Sequence, residues 1–272
     1  MPSFASIAPD KLARPIGTPR APLIVDVREP EDIAAAPRFV PTSRHRSHEV
    51  VARWAASYSG QTVAVVCQRG KKLSEGVAAW LRHSGATAEI VEGGFEAWQA
   101  AKLPLVNAAA IPDRRADGPT VWVTRSRPKV DRIACPWLIR RFVDPDAVFL
   151  FVAPAEVEAV AGRFGATPFD IDDAFWSHPD ARCTFDVMLE EFGLHAEPLQ
   201  RLATIVRGAD TARFDLAPEV AGLLAVSLGL SRMFQDDLEQ LAAGLTIYDA
   251  LYRWCRDATD ETHNWPSGKS GR

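Results

Sequence analysis

The stretch AVVCQRGKKLSEGVAAWL, residues 64–81, joins a short apolar run to a polar loop and then to a helical pattern. Residues 63–66 are continuously apolar, as a buried parallel strand is, and the polar loop begins at Cys67. From Leu73 onward apolar residues recur at helical spacing, which predicts a helix. We therefore expect Cys67 at the carboxyl end of a strand, where ligands of open α/β sheets bind.

The sequence around this stretch repeats the same alternation. Between residues 23 and 105, short apolar runs alternate with helical patterns: LIVDV, HEVVARWAASY, TVAVVC, LSEGVAAWLRHSG, AEIVEG and FEAWQAA. Strands that alternate with helices imply crossover connections, and hence a parallel sheet with helices on both faces. The segment that follows, residues 106–119, is rich in Ala, Pro, Asp and Arg, has no periodicity, and is predicted to be a linker.

The second half of the chain is predicted to be mainly helical with a few strands. It opens with the strand patterns TVWVTRS and VFLFV. Helical patterns occupy residues 131–142, 155–164, 184–192, 198–206, 219–228 and 237–255. The sequence thus predicts an α/β domain at 1–105, a linker at 106–119, a mainly helical domain at 120–258 and a flexible polar tail at 259–272.

Composition narrows the class of protein. With 47% hydrophobic residues, 24% charged residues and a net charge of -4, the chain resembles an ordinary soluble globule without a basic field, so we expect no nucleic-acid partner. No apolar run approaches the roughly 18 residues of a membrane helix, and the N-terminus lacks a basic start followed by an apolar core. The four cysteines are scattered without a Cys-x-x-Cys pair, which favours a reducing cytoplasm.

The loop after Cys67 has the composition of an anion cradle. Loop amides and the positive end of the following helix are expected to face the sulfur. Together with the basic side chains of the loop they favour the thiolate, which is the nucleophilic form of cysteine. Gly70 allows positive φ, so that successive N–H groups can converge on one point. The alternative is a small packed cysteine at a strand end.

Three segments, VDVREPED, VVCQRGKKLSEGVAAWL and VEGGFEAW, resemble in this order the signatures of the rhodanese family of sulfurtransferases, over about residues 21–105. The resemblance implies that Cys67 takes a sulfane sulfur from a small-molecule donor, becomes a persulfide and passes the sulfur to a thiol or cyanide, without a cofactor. It also implies a substrate-binding cradle formed by Gln68, Arg69, Gly70, Lys71 and Lys72. Asp26 and Arg28 match the family's Asp-x-Arg element, which implies that they brace the loop. From the residues alone they could equally be a surface ion pair.

Two departures from the rhodanese pattern are visible. Where the family has a His-Ile-Pro-Gly-Ala-like element, this chain reads FVPTSRHRSHEV. The substituted residues could form an anion-attracting rim or a solvated basic loop, and they are Arg44, His45, Arg46 and His48. Related cysteine phosphatases and arsenate reductases need an arginine six positions after the cysteine. That position is Leu73, which disfavours phosphatase chemistry.

The second half contains candidate metal ligands. In KVDRIACPWLIRRFVD the apolar residues fall on one helical stripe, which predicts a core helix with a charged border rather than a nucleic-acid contact. In IDDAFWSHPDARCTFDVMLEEFGLH, polar residues share the face opposite the apolar stripe. The candidate ligands of a transition metal or an oxyanion are His178, Cys183, Asp186 and, from a neighbouring helix, Asp210. The alternative is a solvated acidic face, since no standard ligand spacing is present.

Residues 120–255 also carry a resemblance. The segments KVDRIACPWLIRRFVD, SHPDARCTFDVMLEEFGL, IVRGADT, LAPEVAGLLAVSLGLS and YDALYRWC resemble the C-terminal domain of the chromate-resistance protein family. This implies a setting of chromate or oxidative stress. The first hypothesis is therefore a sulfurtransferase in such a setting. The alternative is a chromate- or metal-sensing regulatory protein with a non-catalytic rhodanese unit. The second half could also be a scaffold or dimerisation module, which leaves a homo-oligomer open.

Overall fold

The computed structural model describes residues 5–114, 118–177 and 181–261. Within them lie ten strands: β1 Ser6–Ile7, β2 Leu23–Asp26, β3 Arg38–Phe39, β4 Ser43–His45, β5 Thr62–Val66, β6 Thr87–Val91, β7 Val106–Asn107, β8 Val121–Arg125, β9 Val148–Val152 and β10 Thr167–Pro168. The same residues contain eleven α-helices: α1 Pro9–Ala13, α2 Pro30–Ala35, α3 Val51–Trp54, α4 Lys72–His83, α5 Gly94–Ala100, α6 Asp131–Leu138, α7 Val157–Phe164, α8 Thr184–Phe192, α9 Glu197–Asp210, α10 Val220–Met233 and α11 Asp237–Asp257.

The first domain is built on a five-stranded parallel sheet in the order β1-β6-β5-β2-β4. Alternate residues of β5 point to opposite faces, as the period of two requires. Val63 and Val65 pack with α3 and α4, whereas Ala64 and Val66 belong to the core that contains α1 and α5. The predicted parallel sheet with helices on both faces is confirmed.

The second domain contains a parallel sheet in the order β10-β8-β9, and helices dominate the rest of it. The predicted core stripe of α6 is buried. It includes Trp137, whose aromatic ring contacts the rings of Phe142, Phe185 and Tyr252. The prediction of a mainly helical second domain with a few strands is confirmed. None of the described helices is both long enough and apolar enough to span a membrane.

Two predicted helices differ from the structure. The pattern HEVVARWAASY forms a 3₁₀ turn at His48–Val50, the short helix α3 and another 3₁₀ turn at Ala55–Tyr58 instead of one helix. The helix predicted for residues 131–142 is α-helical only to Leu138 and continues as a π-helical turn, Ile139–Val143. Pro136 lies inside this helix, where its missing N–H removes one backbone hydrogen bond and loosens the regular pattern.

The segment predicted as a linker is partly structured. β7 pairs with β3 in an antiparallel ribbon, and Ala108–Ala110 form a 3₁₀ turn. The Asn107 side chain also donates a hydrogen bond to the Glu191 carbonyl at 2.8 Å, so the segment contacts the second domain. Residues 115–117 and most of the predicted tail lie outside the described residues.

The two domains share one hydrophobic core, which contains buried residues of both, such as Phe95 and Trp122. Thr42 has φ of +64° and donates its N–H to the Phe142 carbonyl at 2.8 Å. Gly17 has φ of +80°, and a Cβ at this position would lie 2.7 Å from the Phe142 ring. Contact across the boundary is therefore direct, through backbone as well as side chains.

Candidate active site

Cys67 follows β5 directly, and its side chain is 4% exposed. The Lys71 N–H donates a hydrogen bond to the Cys67 sulfur at 3.4 Å, and the Ser74 hydroxyl oxygen lies 3.1 Å from the same sulfur. Ser74 also lies 2.9 Å from the Lys71 carbonyl, to which it can donate. Its single proton can therefore turn either to that carbonyl or to a negatively charged sulfur.

The start of α5 holds the loop in place through backbone contacts. The Phe95 N–H donates to the Cys67 carbonyl at 2.9 Å, and the Glu96 N–H donates to the Gln68 carbonyl at 3.1 Å. Gly70 has φ of +63°, and a Cβ at this position would lie 2.8 Å from the Gly94 nitrogen. Because the backbones approach so closely, the loop and the start of α5 form one rigid piece around the sulfur.

Asp26 and Arg28 form a fully buried ion pair, with Arg28 Nη2 2.8 Å from Asp26 Oδ2. The pair is therefore not the surface ion pair that the sequence left open. The Arg28 guanidinium also donates to the Arg38 carbonyl at 2.7 Å, and its carbon lies 3.8 Å from the centre of the Phe95 ring. The Phe95 N–H donates a hydrogen bond to the Cys67 carbonyl, so Phe95 contacts both Arg28 and the cysteine loop and connects the two.

A cleft of about 570 Å³ opens beside Cys67. Its lining comes from the loop and from the starts of three helices, and consists of Glu29, Asp32, Cys67, Gln68, Arg69, Lys71, Lys72, Leu73 and Glu96. The Arg69 guanidinium lies 3.1 Å from the Glu96 carboxylate. The hydrogen bond from Arg69 lowers the pKa of Glu96 below its ordinary value. The structure thus brings the predicted loop side chains to one cleft, and the Gly70 backbone lies behind it against α5.

The basic residues of SRHRSHEV do not form a single surface. Arg44 lies 3.1 Å from Asp146 and 3.6 Å from Asp144, both in the second domain. His48 Nε2 lies 2.9 Å from the Glu29 carboxylate at the edge of the cleft. One part of this segment therefore fastens the domains together, and another part contacts the site, which neither alternative from the sequence described.

A second buried polar cluster lies in the other domain, where α6 meets the start of α8. The Asp131 carboxylate accepts the N–H groups of Thr184 at 2.7 Å and Phe185 at 3.1 Å. Cys135 Sγ lies 3.5 Å from Asp131 Oδ1. Burial raises the pKa of Asp131 well above its ordinary value, and the neighbouring charge of Asp210 adds to this rise. Burial and the Asp131 charge likewise raise the pKa of the Cys135 thiol.

The candidate metal ligands are only partly brought together. Cys183 is buried at the start of α8, and its Sγ lies 3.3 Å from Asp186 Oδ2, while Asp186 Oδ1 pairs with Arg207 at 2.8 Å. Burial raises the pKa of the Cys183 thiol. Asp210 is near enough for its charge to act on Asp131. His178 lies outside the described residues.

Across 5–114, 118–177 and 181–261 no three His, Cys, Asp or Glu side chains are grouped so as to hold a metal ion. The metal site stays a prediction. The solvated-face alternative fits the exposed Glu190, which pairs with Arg182, but not the buried Cys183.

Sequence reasoning missed the residues that reach these sites from elsewhere in the chain. Ser74 is seven residues after Cys67, and its place in the first turn of α4 is the one signal that could have suggested contact with the sulfur. Asp131 looks like an ordinary acidic residue in the first turn of its own helix. Its partner is a helix that begins 53 residues later, and no local pattern predicts that contact.

Comparison with known proteins finds two successive matches along the chain. Residues 8–101 match the family model of the rhodanese-like domain, and residues 122–255 match that of the ChrB C-terminal domain. The protein ChrB of Cupriavidus metallidurans is 36% identical over 132 residues. The match covers 48% of this chain and 39% of that relative, so this chain spans well under two thirds of its length.

Solved structures match over the first domain. A rhodanese-related protein from Thermoplasma volcanium is 24% identical, with 38% of this chain and 98% of that chain covered and a TM-score of 0.33. A rhodanese-like domain protein from Staphylococcus aureus is 28% identical, with 35% and 91% covered and a TM-score of 0.32. A probable thiosulfate sulfurtransferase is 26% identical, with 37% and 46% covered and a TM-score of 0.30. Two family models thus match this chain in succession, that of the rhodanese-like domain first and that of the ChrB C-terminal domain after it.

Proposed function

We propose that this protein is a sulfurtransferase that moves a sulfane sulfur through a persulfide on Cys67 to a thiophilic acceptor. The observation that carries the proposal is the position of the Cys67 sulfur, which lines a cleft, accepts the Lys71 N–H and lies in a loop that α5 holds rigid. The match to the ChrB C-terminal domain supports a setting of chromate or oxidative stress. Sulfur transfer by this route requires no cofactor.

The first half-reaction loads the sulfur. With thiosulfate as donor, the Cys67 thiolate attacks the outer sulfur, the S–S bond of the donor breaks, and sulfite leaves with the bonding electron pair. The ammonium groups of Lys71 and Lys72 line the same cleft and attract both anions. The Lys71 N–H and the Ser74 hydroxyl are placed to stabilise negative charge on the sulfur.

The second half-reaction returns the enzyme to its starting state. An acceptor nucleophile attacks the outer sulfur of the persulfide, and Cys67 leaves as the thiolate. The cleft lining comes only from the first domain, whereas Cys135, Cys183 and Cys255 are buried in the second. Burial raises the pKa of Cys255 to about 11. We therefore assign the role of acceptor to a molecule from solution and not to a cysteine of the attached domain.

The test is direct. Purified protein supplied with thiosulfate and cyanide should release thiocyanate, and mass spectrometry should detect one added sulfur atom on the peptide that contains Cys67. Cys67→Ser should abolish both signals. Cys255→Ser is the matched control and should keep both, because its sulfur is remote from the cleft. Thiocyanate release by the Cys67→Ser protein would contradict the proposal.

A second candidate function is a chromate- or metal-sensing regulatory protein in which the rhodanese unit is not catalytic. The observation in its favour is the buried cluster around Asp131, since strongly shifted pKa values collect at functional sites. Metal analysis of the purified protein and titration with chromate test it. A stoichiometric metal that is lost in His178→Ala would support it, and a metal-free protein that does not bind chromate would exclude it.

A further inference from the structure

The lining of the cleft beside Cys67 carries charges of both signs. The loop between β5 and α4 contributes Arg69 and Lys71, and Lys72 begins α4. The acidic side chains come from different elements, with Glu29 and Asp32 at α2 and Glu96 in α5. The lining therefore carries three formal positive and three formal negative charges. An inorganic dianion gains nothing from the carboxylates, so the carboxylates point to a second ligand.

Ion pairs within the protein already occupy part of this charge. Arg69 is paired with Glu96 at 3.1 Å, and Glu29 with His48 at 2.9 Å. Within the described part of the chain, the side chains of Asp32, Lys71 and Lys72 form no ion pair. One carboxylate and two ammonium groups thus line the same cleft as the reactive sulfur and are available to a ligand.

We infer that the sulfur acceptor is a low-molecular-weight thiol that carries both a protonated amine and a carboxylate. The inference rests on the proposed function and names its second substrate. Lys71 and Lys72 bind the acceptor carboxylate, and Asp32 binds the acceptor ammonium. The cleft volume of about 570 Å³ is within the range of small-molecule sites, roughly 300 to 1,000 Å³. These contacts hold the acceptor in the cleft that Cys67 also lines.

The transfer step is a balanced exchange without net oxidation. The acceptor thiolate attacks the outer sulfur of the Cys67 persulfide, and a new S–S bond forms between the acceptor and that sulfur. The S–S bond to Cys67 breaks, and Cys67 leaves with the electron pair as a thiolate. The outer sulfur of the persulfide takes up a proton from water before the attack and keeps it, so the product is the acceptor's hydropersulfide.

The test follows discharge of the loaded protein in a single turnover. The full chain is treated with thiosulfate and freed of donor, and the sulfur on Cys67 is quantified by mass spectrometry. Three thiols then discharge it: cysteine, cysteamine, which lacks the carboxylate, and 3-mercaptopropionate, which lacks the amine. Each thiol is compared between wild type and Asp32→Asn, so that differences in intrinsic thiol reactivity cancel.

We expect Asp32→Asn to slow discharge by cysteine and by cysteamine about fivefold, the ratio for one partly exposed ion pair of about 1 kcal/mol. Discharge by 3-mercaptopropionate should be unchanged or faster. Glu31→Gln is the matched control, because it removes the same charge from the same helix at an exposed residue outside the cleft. It should leave all three rates unchanged.

The outcomes separate this inference from the proposed function. Equal slowing of all three thiols by Asp32→Asn, or an equal effect of Glu31→Gln, overturns the inference while the persulfide itself still forms. Failure of thiosulfate to load any sulfur on Cys67 overturns the proposed function, and the inference with it.

Discussion

Two buried aspartates, Asp26 in the first domain and Asp131 in the second, each lie near a cysteine and balance their charge differently. Asp26 is paired with the Arg28 guanidinium, which is equally buried. Asp131 accepts backbone N–H groups from the start of α8, and burial raises its pKa so that it favours the protonated form. Around Asp26 the charge is neutralised by a counterion, whereas around Asp131 burial raises the pKa of the carboxyl group toward the protonated form.

The difference decides what the neighbouring thiols can do. Beside Cys67 the nearest polar groups are an N–H and a hydroxyl, both of which can donate to a negative sulfur. Beside Cys135 the nearest polar group is the Asp131 carboxyl group, and burial together with the charge of that group raises the pKa of the thiol. Cys67 and Cys135 are both buried, so burial by itself does not decide which of the two thiols reacts.

The largest expected effect comes from removing the counterion of the first site. Arg28→Ala leaves the Asp26 carboxylate buried without a partner, which should lower the free energy of unfolding by about 3 to 5 kcal/mol in urea denaturation. Arg14→Ala is the control, since its ion pair with Asp10 is 77% exposed on the arginine side and should change stability by less than about 1 kcal/mol. Equal losses of unfolding free energy in the two variants would show that the buried Asp26–Arg28 pair stabilises the fold no more than an exposed ion pair does.

The next expected effect is a difference in alkylation rate between the cysteine thiols. Iodoacetamide applied to the native protein should alkylate Cys67 about 100-fold faster than Cys135 or Cys183, as followed by peptide mass spectrometry at timed intervals. Cys67 lines an open cleft, whereas burial and the Asp131 charge raise the pKa values of the other two thiols. In urea all three rates should converge. Comparable alkylation rates of the three thiols in the native protein would contradict the expected difference in reactivity between Cys67 and the other two.

The smallest effect is a dependence of stability on pH. The ordinary pKa of Asp131 is 3.8, and burial raises it in the folded protein. At a pH between the unfolded and the folded pKa, the folded state therefore holds a proton that the unfolded state has lost. Stability is greatest below the unfolded pKa and falls as pH rises toward the folded pKa, by at most about 1.4 kcal/mol per pH unit. Asp131→Asn lacks this titrating group, so the stability of the variant should lack this dependence on pH.

Urea denaturation of wild type and Asp131→Asn at a series of pH values from about 4 to 8 tests this. The unfolding free energy of Asp131→Asn, relative to that of wild type, should increase as pH rises. Asp215→Asn is the control with the opposite sign, because the hydrogen bond from Arg213 lowers the pKa of the exposed Asp215. Parallel pH curves for wild type and Asp131→Asn would count against a protonated Asp131.

Much of the fold could be predicted because apolar runs such as TVAVV report burial on both faces of a strand. The two-residue strands β1 and β7 could not be predicted, since a segment of that length shows no periodicity. β1 forms only because β6 offers it an open edge. The pairing of β7 with β3 likewise depends on the rest of the fold, which is why residues 106–119 were interpreted as a plain linker.

In the candidate site, too, features that are contiguous in sequence could be predicted, whereas contacts between residues far apart in sequence could not. The loop that contains Cys67 is contiguous in sequence, so its strand end, its glycine and its basic residues could be recognised together. Two acidic residues of the cleft lining, Glu29 and Asp32, lie at a helix about 35 residues earlier and were not predicted. The contact of Asp131 with α8 crosses 53 residues and is equally invisible in a local pattern.

The close packing around Gly17 bears on how this chain can evolve. Residue 17 belongs to the first domain, yet a methyl group there would meet the rings of Tyr252 and Phe142 in the second. Compensation would have to occur more than one hundred residues away, in a region that matches a different family model. A chimaera that takes either half from a relative would therefore also need matching residues at Gly17, Phe142 and Tyr252.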